Sequence, residues 1–128
     1  MTDEDLIALV QEYFAGVDSQ DIDRVLSTLT EDCRFTVETH KVELNGHDEI
    51  TGMFERLWQD HSAVRHHEFN YVPSAARRQI AVQFQVTNTL WERSEVHKSN
   101  CNFFRLRDGR FDAVAVYMTG ENTLVKTR

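Results

Sequence analysis

The chain has 128 residues and a formal net charge of −7, with 41% hydrophobic and 27% charged residues. This length predicts one domain over residues 1–128, and the acidic balance argues against a nucleic-acid partner, which would need a basic face. No apolar run approaches the ~18 residues of a membrane span, and Thr-Asp-Glu-Asp follows Met1 where a leader would be basic and then apolar, so we expect a cytoplasmic protein without a membrane partner.

The first half of the chain predicts three helices. Helix one is predicted over about residues 3–17, because apolar residues recur every three or four positions and acidic residues occupy the first turn. A second, short helix follows, and its apolar face consists of Ile22, Val25, Leu26 and Leu29. Helix three has the clearest pattern, with an apolar stripe formed by Ile50, Met53, Phe54, Leu57 and Trp58.

Six strands are predicted between and after these helices. Two short strands, at 33–38 and 41–44, precede helix three. After Ser62 the hydrophobic period changes from about 3.6 residues to about 2, which indicates strands at 64–72, 78–92, 95–107 and 110–118. The only proline, Pro73, is placed between two of them, because proline interrupts the hydrogen-bond ladder of a sheet. Residues 119–128 are predicted to form a loose tail.

This order of elements is typical of an α+β fold, in which helices gather on one face of an antiparallel sheet. In the strand at 78–92, alternate positions carry the apolar residues Ile80, Val82, Phe84 and Val86. That set predicts a face packed on the helices. The residues between them are polar with little charge, so the opposite face suits either water or a second subunit.

The strand at 95–107 carries both polar and apolar residues on one face. Asn100 and Asn102 alternate in phase with Phe104 and Leu106, which are expected to be covered near the following turn. Two amides on an inward face are unfavourable unless they are hydrogen-bonded. The pattern therefore leaves two alternatives, a water-facing strand end or the wall of a pocket.

Three stretches of the sequence stand out by their order and spacing. They are L-V-Q-E-Y-F-A-G-V-D-S-Q-D-I-D-R-V-L-S-T-L-T-E-D-C-R-F at 9–35, N-G-H-D-E-I-T-G-M-F at 45–54 and N-F-F-R-L-R-D-G-R-F at 102–111. Together they resemble the nuclear transport factor 2-like superfamily in its SnoaL-like and ketosteroid isomerase-like branch. The resemblance implies a cone, in which a curved antiparallel sheet wraps around three helices and a buried cavity. It also implies a homodimer through the outer sheet face. Such folds host isomerases, dehydratases, cyclases and binding modules, so fold alone does not give function.

The ketosteroid isomerases of this superfamily use a carboxylate base together with a tyrosine and a protonated aspartate that hold the enolate oxygen. The resemblance places Tyr13 at the tyrosine position and Asn102 at the late-strand acid position. An amide can donate a hydrogen bond without any change of pKa, so this half of the site is retained. The base position falls on Val37, which cannot accept a proton, and Glu38 points to the other side of an ideal strand.

The stretch V-D-S-Q-D-I-D-R-V also resembles scytalone dehydratase around its catalytic aspartate, which places Asp18 at that position. An active-site asparagine of that enzyme falls on Asn100, and a catalytic histidine falls within about one residue of His67. Two tyrosines of that enzyme fall on Val17 and Val37, so the hydroxyls that hold its water are missing.

Of the neighbouring histidines, His67 is predicted to reach the cavity, because it shares a strand face with Phe69 and Tyr71. His66 shares its face with Glu68 and is predicted to lie outside. The histidines lack a fixed ligand spacing and a nearby carboxylate partner, so neither a metal site nor a cofactor is predicted.

The sequence leaves two functions open. The first is a cofactor-independent acid–base enzyme of isomerase, dehydratase or cyclase type, acting on a small, largely apolar or aromatic molecule. Its candidate catalytic residues are Tyr13, His67, Asn102 and Asp18. Its candidate ligand-binding residues are Asn100, Phe54, Trp58 and Val37. The second is a non-catalytic ligand-binding or protein-interaction module of the same fold, which Val37 at the base position favours.

Overall fold

The computed structural model describes residues 1–121. The helices are α1 (Asp3–Asp18), α2 (Ile22–Leu26) and α3 (Gly46–Asp60). The strands are β1 (Leu29–Val37), β2 (Val42–Asn45), β3 (His61–Ser74), β4 (Gln79–Leu90), β5 (Glu95–Arg107) and β6 (Arg110–Tyr117). The order of these elements agrees with the sequence analysis, except that Leu29 begins β1 and does not extend the second helix. No helix within 1–121 has the length and apolar character to cross a membrane.

The six strands form one open sheet in the order β2-β1-β6-β5-β4-β3. This arrangement confirms the α+β class and the cone-like architecture. The prediction of a wholly antiparallel sheet is wrong for one pair, because β1 and β6 run parallel. Parallel neighbours need a long connection, and here the chain passes through α3 and four other strands between them.

Pro73 lies within β3 and pairs with Ile80 of β4, so its predicted place between two strands is wrong. The structure tolerates it because β3 is an edge strand, paired on one side alone. A residue without an N–H group is acceptable where no neighbouring strand needs that donor.

Helix α1 packs across the inner face of the sheet and positions the first half of the site. Gly16 allows α2 to approach it, since a Cβ there would lie 2.8 Å from Cγ2 of Val25. The inner positions of β4 are buried as predicted. Phe84 among them belongs to an aromatic cluster to which α1, α3 and the sheet contribute. The cluster contains Phe14, Phe35, Phe54, Phe84 and Phe104. Helices and sheet therefore enclose one core, and the polar groups described below lie in its wall.

The segment after β6 is held against the sheet. Lys98 donates from Nζ to the carbonyl oxygens of Thr119 at 2.6 Å and Glu121 at 2.5 Å, and the backbone N–H of Ser99 donates to Oγ1 of Thr119. The prediction of a loose tail is thus wrong for residues 119–121. Its remaining part, 122–128, lies outside the described residues.

Candidate functional site

A cavity of about 30 Å³ lies between the helices and the inner face of the sheet. This volume has room for about two water molecules. Its lining is mostly apolar, and its polar members are Tyr13, His66, Asn88, Lys98, Asn100 and Asn102. No carboxylate side chain belongs to the lining within residues 1–121. The cavity is therefore a small apolar space with polar groups at selected points, the composition typical of small-molecule sites.

His66 lines the cavity, and the Asp18 carboxylate is its hydrogen-bond partner outside the lining. Oδ1 of Asp18 lies 2.5 Å from Nδ1 of His66, and Oδ2 of Asp18 accepts the backbone N–H of His66 at 2.8 Å. A carboxylate accepts hydrogen bonds, so Nδ1 is the protonated ring nitrogen and Nε2 is left for another partner. The ring also packs against Phe14 and Phe84, with centroid distances of 4.8 and 5.5 Å. Asp18 fixes both the tautomer and the orientation of an imidazole at the cavity.

The structure reverses the predicted sides of the two histidines. His67 points to the outer face, where Nε2 contacts Oγ1 of Thr87 and Nδ1 lies 3.1 Å from Glu68. The cause is a β-bulge: two residues of β3, Glu68 and Phe69, stand where β4 has one, between the His67–Gln85 and Asn70–Gln83 pairs. Glu68 has a φ of +56°, and the extra residue reverses the alternation beyond it. His66 is therefore inward together with Phe69.

The inner face of β5 contributes a row of polar side chains. Lys98, Asn100 and Asn102 occur at alternate positions, and all three line the cavity. Asn100 is half-buried, and its Oδ1 accepts the backbone N–H of Thr119 at 3.3 Å. Asn102 is 3% exposed and its Oδ1 has no hydrogen-bond partner. The position of these three residues in the cavity lining favours the second of the two alternatives that the sequence leaves, the wall of a pocket.

Asn88 on β4 adds a second unpartnered amide. It is 1% exposed, and its Oδ1 makes no hydrogen bond. Buried polar atoms in folded proteins almost always have a partner, so two such oxygens at one cavity mark a place for a hydrogen-bond donor from a water or a ligand.

Tyr13 of α1 closes the opposite side of the cavity. Its ring packs edge-to-face against Phe104 at 5.3 Å and against Phe54 at 6.3 Å. Burial raises the pKa of its phenol well above the ordinary value. The hydroxyl consequently keeps its proton at all physiological pH values and can act as a hydrogen-bond donor.

The remaining predicted residues divide between the lining and the surrounding core. Phe54 lines the cavity. Trp58 lies behind it, stacked at 5.7 Å, and donates its indole N–H to the Val17 carbonyl at 3.0 Å. Val37 is fully buried in the core and is not part of the lining. Trp58 therefore packs against a lining residue without belonging to the lining, and the side chain of Val37 has no group that accepts a proton.

Sequence reasoning did not single out Asn88 or Lys98, although alternation contains a signal for each. Asn88 continues the inward set of β4 after Val86, and Lys98 precedes Asn100 on the same face of β5. The sequence also contained a signal for the inward orientation of His66. Val64 and Phe69 are both apolar but differ by an odd number of positions, so both can face inward only if a bulge separates them.

Many solved structures share this fold, and the three described below are 20% identical to this chain or less. An uncharacterised NTF2-like protein from Burkholderia pseudomallei shares 18% identity and a TM-score of 0.78, with 96% of this chain and 93% of that chain covered. PrhC from Penicillium brasilianum shares 20% identity and a TM-score of 0.81, with 92% and 82% covered. A Catenulispora acidiphila protein with a ketosteroid isomerase-like fold, solved in complex with trimethylamine, shares 10% identity and a TM-score of 0.76, with 85% and 83% covered.

At these identities the likeness concerns the fold. A search of curated proteins finds no match. The SnoaL-like domain family, in contrast, matches residues 10–114, which include α3, the part of α1 that lines the cavity and every polar lining residue. The chain therefore belongs to the SnoaL-like domain family and shares its fold with NTF2-like proteins.

Proposed function

We propose that this protein is a cofactor-independent acid–base catalyst that acts on a small carbonyl compound in the cavity. The Asp18–His66 pair carries the proposal, because an oriented imidazole at an enclosed, mostly apolar space is the arrangement that proton transfer needs. The proton carrier in this proposal is His66, and Asp18 is the group that positions it. His67, which the sequence favours, lies on the outer face.

The chemistry follows from the free ring nitrogen. Nε2 of His66 accepts a proton from a carbon next to the substrate carbonyl, and the electron pair of the broken C–H bond moves onto the carbonyl oxygen to form an enolate. Where a carbon–carbon double bond is conjugated with the enolate, His66 returns the proton to the far carbon of that double bond, which completes an isomerisation. If a hydroxyl group is present at the β position, the His66 imidazolium donates its proton to that oxygen instead. The C–O bond then breaks as the enolate collapses, and water leaves with formation of an α,β double bond.

Tyr13 and Asn102 support the enolate oxygen. Tyr13 keeps its phenolic proton because burial raises its pKa, and the amide of Asn102 supplies further polar contact. Donors held in place at the point where negative charge develops lower the barrier, since no solvent has to reorganise around them. The resemblance to ketosteroid isomerases assigns the same two positions to this task.

The size of the cavity restricts the substrate. At about 30 Å³ the present conformation accommodates few heavy atoms, whereas pockets for drug-sized ligands measure about 300–1,000 Å³. Met118 lines the cavity, and its flexible side chain is the part of the wall most easily displaced. A compact substrate fits this site better than a polycyclic one.

Deuterium exchange tests the proposal directly. The wild-type protein is incubated in D₂O with small ketones and with β-hydroxy carbonyl compounds, and NMR follows deuterium incorporation next to the carbonyl and loss of water. We expect exchange that depends on protein concentration for at least one class. Compounds that bind, as shown by a thermal shift, yet exchange no faster than in buffer would refute the catalytic role.

That negative result would support the second function, a binding module without catalysis. Two observations favour it: the family base position holds the buried Val37, and the cavity lining within residues 1–121 has no carboxylate. The exchange experiment separates the two functions because binding and proton transfer are measured independently on the same compounds.

We further propose a homodimer through the outer sheet face. Phe103 and Tyr117 are 49% and 42% exposed there and contact each other edge-to-face at 6.1 Å, beside the small Ala113 and Ala115. Exposed aromatic pairs of this kind mark interaction surfaces.

We expect light scattering to give twice the 15.0 kDa chain mass and the Phe103→Glu variant to give the monomer mass. Trp91→Glu, at an exposed site after β4, is the control, and a monomeric wild type would contradict the interface.

A cytoplasmic location is part of the proposal. Cys33 and Cys101 are both free thiols in the structure, as expected in a reducing compartment. Burial raises the pKa of the Cys33 thiol to about 12, so that group is chemically inert at neutral pH. Fractionation of cells that express a tagged chain tests the location, and recovery of the tag outside the cytoplasm would contradict it.

A further inference from the structure

Lys98 is a buried cation without a carboxylate partner among residues 1–121. It is 4% exposed, and none of the ion pairs in the described part of the chain includes it. Its hydrogen bonds go to two backbone carbonyls, those of Thr119 and Glu121. An ammonium group has three N–H donors, so one donor remains at a side chain that lines the cavity.

The cavity as a whole favours an anion. Its lining contains the Lys98 ammonium and no carboxylate, although the complete chain carries a net charge of −7. Burial lowers the pKa of Lys98, and the Glu121 carboxylate acts in the opposite direction. A buried charge is stabilised far more by an opposite charge than by neutral dipoles, and the cavity is the space from which such a charge can approach.

Lys98 and His66 occupy the two ends of one row across the sheet. His66 pairs with Val86, and Val86 pairs with Lys98. Adjacent strands are about 4.8 Å apart, so the two backbones are separated by about 10 Å. A compact molecule lying over Val86 can therefore contact the ammonium at one end and the imidazole at the other.

The two unpartnered amide oxygens specify a second ligand group. Oδ1 of Asn88 and Oδ1 of Asn102 are acceptors without donors, and they stand on either side of the row, Asn88 beyond Val86 on β4 and Asn102 beyond Asn100 on β5. A hydroxyl group can donate to either oxygen. A ligand that pairs with the Lys98 ammonium and donates a hydrogen bond to one of these amide oxygens thus carries an anionic group together with a hydroxyl.

We propose that the cavity binds small hydroxycarboxylates, with the carboxylate on Nζ of Lys98 and the hydroxyl on the carbonyl oxygen of Asn88 or Asn102. This inference rests on the proposed function for its reaction, which requires a carbonyl group beside the reacting carbon in addition to the carboxylate and the hydroxyl. The binding itself is independent of any proton transfer. The sequence predicts a small, largely apolar molecule as the ligand. This inference changes the expected ligand to a compact anion.

Three matched probes test the inference by isothermal titration calorimetry. They are 3-hydroxybutanoate, 3-hydroxybutanamide, which lacks the charge, and butanoate, which lacks the hydroxyl. We expect 3-hydroxybutanoate to bind at least tenfold more tightly than either of the others. Lys98→Met should remove the preference for the acid over the amide while leaving the amide affinity within about twofold, since the amide makes no charge-assisted contact with Nζ.

A control separates ligand binding from anchoring of residues 119–121. Thr119→Val removes the Ser99 N–H···Oγ1 bond of that segment but leaves Nζ of Lys98 intact, and it should keep the preference for the acid. If Lys98→Met does not fold, the ¹⁵N signal of Lys98 in the wild type gives the answer, since it should shift with 3-hydroxybutanoate and not with the amide.

Equal affinities for acid and amide, or an unshifted Lys98 signal at saturation with the acid, would overturn the inference. Exchange on neutral ketones without a preference for acids would refute the role of Lys98 and leave the acid–base function intact. Binding of acids through Lys98 without deuterium exchange would support the role of Lys98 in ligand binding and refute the acid–base function.

Discussion

Replacing His66 by glutamine should lower turnover by a factor of about 10²–10⁴, the usual contribution of a positioned general base or acid. Glutamine has a similar length and can still donate to Asp18 through its amide, but it cannot take up a proton from a substrate. The Asp18 contacts to the backbone of His66 do not involve the ring, so the fold should persist. Steady-state kinetics on the compound identified by deuterium exchange measures the effect.

His67→Gln is the matched control, one residue away on the opposite face of β3. It should change kcat/KM by less than about twofold, the scatter expected of a surface substitution. A large loss in His67→Gln with normal activity in His66→Gln would restore the assignment predicted from strict alternation. Equal losses in both variants would indicate damage to β3, and the melting temperatures of the two proteins would reveal it.

Asp18→Asn extends the same experiment to the positioning group. An asparagine can present its N–H to Nδ1 and thereby favour the wrong tautomer, which leaves the protonated Nε2 facing the cavity. The expected loss is in kcat, with KM nearly unchanged, because Asp18 does not line the cavity. A loss confined to KM would assign Asp18 to substrate binding instead.

Local pattern was sufficient for most of the fold. The helices and long strands follow from apolar spacing because each buries one continuous stripe or face, and the inward set from Ile80 to Val86 is buried as alternation predicts. The parallel β1–β6 pair could not be read from any one strand, since a strand's own pattern records which face is buried and not the direction of its neighbour.

The site was less accessible to sequence reasoning. Asp18 and His66 are 48 positions apart and lie on different elements, so no spacing rule connects them. The bulge at Glu68 reverses alternation within a single strand, and a left-handed φ at a glutamate has no strong composition signal. Cavity volume depends on how Met118, Phe54 and the other side chains fill space, which is a property of packing and not of pattern.

Asn102→Leu should make the protein more stable while reducing its function. The buried Oδ1 of Asn102 has no partner, and an unsatisfied buried acceptor costs about 1–3 kcal/mol. Leucine removes that atom, and its extra volume extends toward the adjacent cavity of about 30 Å³. We expect the free energy of unfolding to rise by about 1–2 kcal/mol after some loss to tighter packing, which corresponds to an increase in melting temperature of about 4–7 °C.

Asn100→Leu is the counterpart that shows why this gain is informative. Its Oδ1 already accepts the backbone N–H of Thr119, so its loss should lower the free energy of unfolding by about 0.5–1.5 kcal/mol. Two amides two positions apart on one strand face should thus respond in opposite directions to the same substitution. A destabilised Asn102→Leu would mean that its amide has a structural partner such as a bound water. Stabilisation together with loss of ligand binding would show that Asn102 reduces stability and is kept for its contact with the ligand.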